Sequence, residues 1–97
     1  MKSLEEIKQI LKAQKPAIRQ RYNVSKIGIF GSYVRGEQKK KSEVDILVEF
    51  EKPISLLKLV NLENFLADLI GTKVDVVPKE DVRTELKESI LGEVVYV

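Results

Sequence analysis

Three acids and a Gly-Ser pair are the residues of this chain best suited to chemistry. Gly31-Ser32 is followed by ten residues and then by Glu43-Val44-Asp45, and Asp75 lies further on between Val74 and Val76. On a strand, positions i and i+2 face the same way. Glu43 and Asp45 therefore project together, with backbones roughly 6.5–7 Å apart. Asp75 points away from its flanking valines. If the strands carrying Asp45 and Asp75 are neighbours with valines inward, all three carboxylates share the polar face. Three such groups at a strand edge can hold one or two Mg²⁺ ions, which activate an attacking oxygen and neutralise a leaving phosphate. Any one acid in isolation reads more simply as a solvated charge. Asp75 departs from that reading, because the pattern predicts a central strand there and a free charge among apolar neighbours is costly.

Gly31 permits close backbone approach or a positive φ. N–H groups opening a helix attract anions, and Ser32 adds a hydroxyl donor. Alone, Gly-Ser is a turn. After an apolar strand and before an acid pair at fixed spacing, it reads as a phosphate cradle. Arg35 is placed either to reach a triphosphate or the acids, or to sit solvated on the surface, and both stay open. Lys39-Lys40-Lys41 reads as a solvated loop that could assist a triphosphate by point charge. Tyr22, Phe30 and Phe65 read as packing residues, whereas Tyr33, beside the Gly-Ser turn, is the best candidate to stack on a base.

Composition removes competing chemistries. The chain has no cysteine, so disulfides and thiolate metal sites are excluded, and a cytoplasmic location is expected. It has no histidine, which excludes a Ser-His-Asp triad and imidazole zinc ligands. Any metal must be held by oxygen, favouring Mg²⁺, Mn²⁺ or Ca²⁺ over zinc. Seventeen basic against fifteen acidic residues give a formal +2, too even to argue a nucleic-acid partner from bulk charge. There is neither a long apolar run nor a signal-peptide core, so no membrane association is expected. Ninety-seven residues suit one domain over 1–97.

The elements that must position these residues follow from pattern. Ser3-Leu4-Glu5-Glu6 fits a capping box, and Leu4, Ile7, Leu11 and Ile18 continue at helical spacing. Pro16 predicts a break, with helix at about 3–14 and a second piece to about 22. Lys26 to Phe30 reads as a strand, with a short helix from Ser32 to Arg35. Val44, Ile46, Val48 and Phe50 alternate with Glu43, Asp45, Leu47 and Glu49, a half-buried strand. Ser55 caps a helix to Ile70, with Gly71 at its left-handed end. The apolar stripe of that helix is wider than one sheet contact needs, which offers a face for a partner. Lys73 to Val77 is a third strand. Val82, Leu86 and Ile90 mark a last helix, and Glu93 to Val97 a short edge strand.

Gly31, Ser32, Glu43, Asp45 and Asp75 together resemble the signature of the polymerase-β-like nucleotidyltransferase superfamily, and within it the minimal nucleotidyltransferase group. That signature is Gly-Ser, ten residues, Asp-x-Asp, and a third Asp on a later strand. Phe30 before the glycine and Arg35-Gly36 after it match its usual surroundings, and the resemblance runs from the first helix to Val97. It implies an α/β (α+β) fold, a small mixed β-sheet flanked by helices. It implies catalytic and metal-binding roles for Glu43, Asp45 and Asp75, and nucleotide binding by Gly31, Ser32 and Arg35. It implies Mg²⁺ as cofactor, ATP as substrate, and transfer of AMP to a hydroxyl. Minimal members are similar to the antitoxin half of type VII toxin–antitoxin modules, whose partner is a HEPN-type toxin carrying the acceptor tyrosine. Larger relatives carry extra domains for the acceptor, so here the acceptor is expected to dock from outside.

One departure stands out. The first Asp of the family pattern is Glu43 here. The extra methylene moves the carboxylate by roughly 1–1.5 Å, whereas Mg²⁺ prefers near-ideal geometry at about 2.0–2.1 Å. Misplacement of that order can cost about 100-fold in rate. The alternative expectation is therefore a binding module that neutralises a toxin by contact alone. Transfer to a small molecule or RNA end is a third, disfavoured by near-neutral charge and the missing acceptor domains. Self-association stays open.

Overall fold

The computed structural model describes residues 2–97. The chain runs α1 (Leu4–Tyr22), β1 (Val24–Phe30), α2 (Ser32–Arg35), β2 (Val44–Phe50), α3 (Leu56–Ile70), β3 (Val74–Pro78), α4 (Thr84–Glu93) and β4 (Val95–Tyr96), with a 3₁₀ turn over Lys79–Asp81. The four strands form one sheet in the order β3-β2-β1-β4. β1 is antiparallel to β2 and to β4, while β2 and β3 are parallel, joined by α3. This is the expected small mixed sheet with flanking helices.

The caps behave as the sequence predicts. Ser3 accepts from Glu6 N–H and the Glu6 carboxylate accepts from Ser3 N–H, closing the capping box. The Ser55 side chain accepts from Lys58 N–H, and Gly71 ends α3 in the left-handed region. Pro16 does not break the first helix, which continues through it to Tyr22. Pro16 is exposed and forfeits one backbone bond. Ile7, Leu11, Ile18 and Tyr22 nonetheless stay in phase on the buried side across it. Each such side chain gains about 1.5–3 kcal/mol from burial, enough to outweigh the local penalty.

Two apolar clusters occupy opposite faces of the sheet. The larger joins α1 and α3 to Ile27 and Ile29 of β1, Val44, Ile46 and Val48 of β2, and Val74 and Val76 of β3. The smaller packs Phe30, Leu47 and Val82 with Val77, Ile90, Leu91 and Val94. The alternation of β2 therefore has apolar residues on both sides at Leu47, because α4 covers part of the face that Asp45 shares. Tyr33 is buried in the larger cluster, which removes it as a base-stacking residue. β3 lies at the edge of the sheet, not at its centre, because β4 pairs with β1 on the other side. Asp75 is accordingly exposed, and the expectation of a costly charge on a central strand is overturned.

Candidate active site

The end of the sheet where β1 stops and β2 and β3 start gathers most of the residues singled out by sequence. Phe30 pairs with Asp45 across the antiparallel ladder, so Gly31 leaves β1 directly beside the Asp45 position. Gly31 has φ +80° and ψ −152°, a conformation essentially reserved for glycine. A Cβ built there would overlap the Asp45 carboxylate. Gly31 is thus needed for its backbone and for the space above it. Ser32 opens α2 and Arg35 closes it.

Asp45 and Asp75 are register partners on adjacent parallel strands. Such partners lie about 4.8 Å apart at the backbone and point to the same face. Val44 and Val74, and then Ile46 and Val76, face the opposite way into the core. Glu43 precedes the strand, at the mouth of the same parallel pair, where Val44 N–H donates to the Lys73 carbonyl. Its carboxylate is 3.3 Å from Lys73 Nζ. Among the described residues, no three acids are gathered tightly enough to hold one ion as the side chains stand.

The two register partners are perturbed in the same direction. Burial, then the charges of Asp75 and Glu43, push the Asp45 carboxyl up to about 6 from its ordinary 3.8. Arg35 opposes this and Glu93 adds to it. The Asp75 carboxyl is also raised, by partial desolvation first and then by Glu63 and Glu43. Hard-oxygen donors disfavoured as anions first by partial desolvation and then by neighbouring acids, as Asp45 and Asp75 are, form a donor set that a divalent cation such as Mg²⁺ relieves. Asp45 and Asp75 therefore suit the ion that the family resemblance implies, and Glu43 would join them on leaving Lys73.

Sequence reasoning missed three participants. Glu93, at the end of α4, accepts from Gly31 N–H at 2.8 Å and from the Arg35 guanidinium at 3.1 Å. Glu63 of α3 accepts from Val76 N–H at 3.0 Å and so backs the strand that carries Asp75. Beside Asp45 and Asp75 opens a cleft of about 250 Å³ lined by the apolar Phe30, Val77, Val82, Leu86 and Ile90 and by Asp81 and Arg83. The Gly31–Glu93 bond spans 62 residues of chain, and no local pattern announces it. Arg35, left open between surface and site, is held toward the site by Glu93 and outward by Glu37 at 2.7 Å.

Residues 4–97 match the profile of the family described as Nucleotidyltransferase domain. The chain belongs to the nucleotidyltransferase family. It is 52% identical over 97 residues to the protein adenylyltransferase MntA of Thermococcus cleftensis, covering 100% of this chain and 98% of that one. It is 48% identical over 98 residues to a candidate protein adenylyltransferase of Methanocaldococcus jannaschii, MJ1217, with both chains fully covered. Among solved structures, a candidate minimal nucleotidyltransferase superposes with a TM-score of 0.81 at 31% identity, over 97% of this chain and 95% of that one. A toxin–antitoxin complex with AMP-PNP contains a chain that superposes with a TM-score of 0.70 at 24% identity, over 95% of this chain and 69% of that one. At that identity the likeness is one of fold. Among the described residues no helix of this nucleotidyltransferase is long and apolar enough to cross a membrane.

Proposed function

We propose that this nucleotidyltransferase transfers AMP from ATP, with Mg²⁺, to a tyrosine hydroxyl of a HEPN-type toxin and so acts as an antitoxin of the type VII class. One observation carries the proposal. Asp45 and Asp75 stand side by side in register, with the Gly31 turn folded directly over Asp45. Relatives covering the whole chain bear the name protein adenylyltransferase, and fold neighbours include antitoxins bound to HEPN toxins, which supports the choice of acceptor.

Gly31 N–H, the Ser32 hydroxyl and Arg35 hold the triphosphate. Asp45, Asp75 and Glu43 hold the metal. Mg²⁺, when bound, neutralises charge on the phosphates. Asp75 is exposed on the cleft side, where its carboxylate can take the proton from the incoming hydroxyl. That oxygen bonds to the α-phosphorus as the bond to the β-phosphate breaks, releasing pyrophosphate. The three leucine and valine side chains left uncovered on α3, Leu56 (76% exposed), Leu57 (71%) and Val60 (45%), offer the toxin an apolar docking face.

The test is incubation with labelled ATP, Mg²⁺ and the co-purified toxin. Label on the toxin with the parent chain, and none with Asp45→Ala or Asp75→Ala, is the expected result. Absence of label transfer by the parent rejects the enzymatic role. The ion pair between Glu43 and Lys73 favours one second reading, a site weakened at its metal and a chain that silences the toxin by contact alone. In that case calorimetry finds tight toxin binding by an Asp45/Asp75 double variant and no ATP affinity in the parent.

A further inference from the structure

Two of the three donors assigned to the triphosphate are already engaged by an anion of the chain itself. Gly31 N–H donates to Glu93 Oε1 at 2.8 Å, and one Arg35 nitrogen lies 3.1 Å from both Glu93 oxygens. The Glu93 side chain is only 22% exposed. A carboxylate on a backbone N–H and a guanidinium presents the same contacts as a phosphate oxygen pair. The backbone that presents it is anchored to β1. Glu93 ends α4 and is followed by β4, where Val95 pairs with Ile29 and Tyr96 with Gly28. Gly28 lets this segment lie close, since a Cβ there would stand 2.7 Å from Val94 Cγ2.

We infer that Glu93 is an internal competitor of the nucleotide, occupying the phosphate contacts of Gly31 and Arg35 until the triphosphate displaces it. The inference rests on the proposal that these two residues hold phosphate. Displacement must turn one negative group out of a site that already contains Asp45, and Glu93 is among the charges that raise Asp45. A nucleotide entering with its metal exchanges that repulsion for a compensated set of charges. Because α4 also lines the cleft beside Asp45 and Asp75 through Leu86 and Ile90, releasing Glu93 loosens one tether of that helix.

The test compares the parent with Glu93→Gln and Glu93→Ala by calorimetry against AMP-PNP with Mg²⁺ and against adenosine. Glu93→Gln keeps the shape and loses the charge, so it serves even if Glu93→Ala folds poorly. Both variants are expected to bind AMP-PNP about tenfold more tightly than the parent, the scale of one charged hydrogen bond, with adenosine affinity unchanged. The Gly31 amide resonance is expected to shift when AMP-PNP is added to the parent and, without nucleotide, in either variant relative to the parent. Equal AMP-PNP affinity across the three chains, weaker binding by the variants, or a matching gain for adenosine overturns the competitor role. No AMP-PNP binding by any of the three overturns the nucleotide site itself, and the competitor with it.

Discussion

Asp45→Asn is expected to make the protein more stable while removing its activity. The Asp45 carboxyl is pushed up to about 6 in the folded chain, above its ordinary 3.8. Between those values the folded state holds a proton that the unfolded state has released. Stability therefore falls as pH rises through this window, and the penalty is constant above it. A gap of about two pH units corresponds to roughly 3 kcal/mol. Asp45 is only half-buried, and solvent screening brings the figure to on the order of 1 kcal/mol. For a domain of this size that is about 4–8 °C in melting temperature. Asparagine keeps the shape and removes the charge. Melts of both proteins in metal-free buffer from pH 4 to pH 8 are the assay. The variant should melt several degrees higher at pH 8, and the two curves should meet near pH 4. Mg²⁺ should raise the parent and leave the variant nearly unmoved, because binding to the native state stabilises it. A variant that melts at or below the parent at pH 8, or a difference that does not change with pH, refutes the reasoning.

Three further outcomes are expected. Gly31→Ala forces a Cβ into a reserved backbone conformation and onto the Asp45 carboxylate, so urea melts should show a loss of about 1–3 kcal/mol and AMP transfer should vanish. Lys73→Ala frees Glu43 from its exposed ion pair, and Mg²⁺ affinity by calorimetry should rise by up to about fivefold, the range of such pairs. Leu57→Glu places a charge on the uncovered face of α3, and should weaken toxin binding by at least about tenfold while AMP-PNP affinity stays at the parent value.

Local rules made much of the fold legible. The capping box at Ser3, the Ser55 cap and the Gly71 terminus each depend on residues within one turn, and each is found where the sequence places it. The period-two valines of β2 and β3 turn inward as expected, which leaves Asp45 and Asp75 together on the other face. What the sequence hid depends on long-range pairing. Nothing near Asp75 says that β4 takes the far edge beside β1 and leaves β3 at the rim. Leu47 reads as the polar-side member of its strand until α4, some forty residues later, covers it. Pro16 reads as a boundary because its missing N–H costs least at the start of a helix, yet the apolar stripe that reaches Ile18 and Tyr22 is buried as one and holds the helix together across it. Tyr33 reads as available because it adjoins the Gly-Ser turn, yet it is buried in the core.

The register between β2 and β3 has a last consequence. A slip of one residue would bring Val74 or Val76 to the place of Asp75 and drive a carboxylate into the core. The distance between the two aspartates is therefore set by the same valine burial that makes the sheet cooperative. Such a site has no melting transition of its own. On heating, adenylyl transfer should persist up to the unfolding temperature and disappear with the fold in a single step, without an earlier stage in which an intact domain has lost its catalytic geometry.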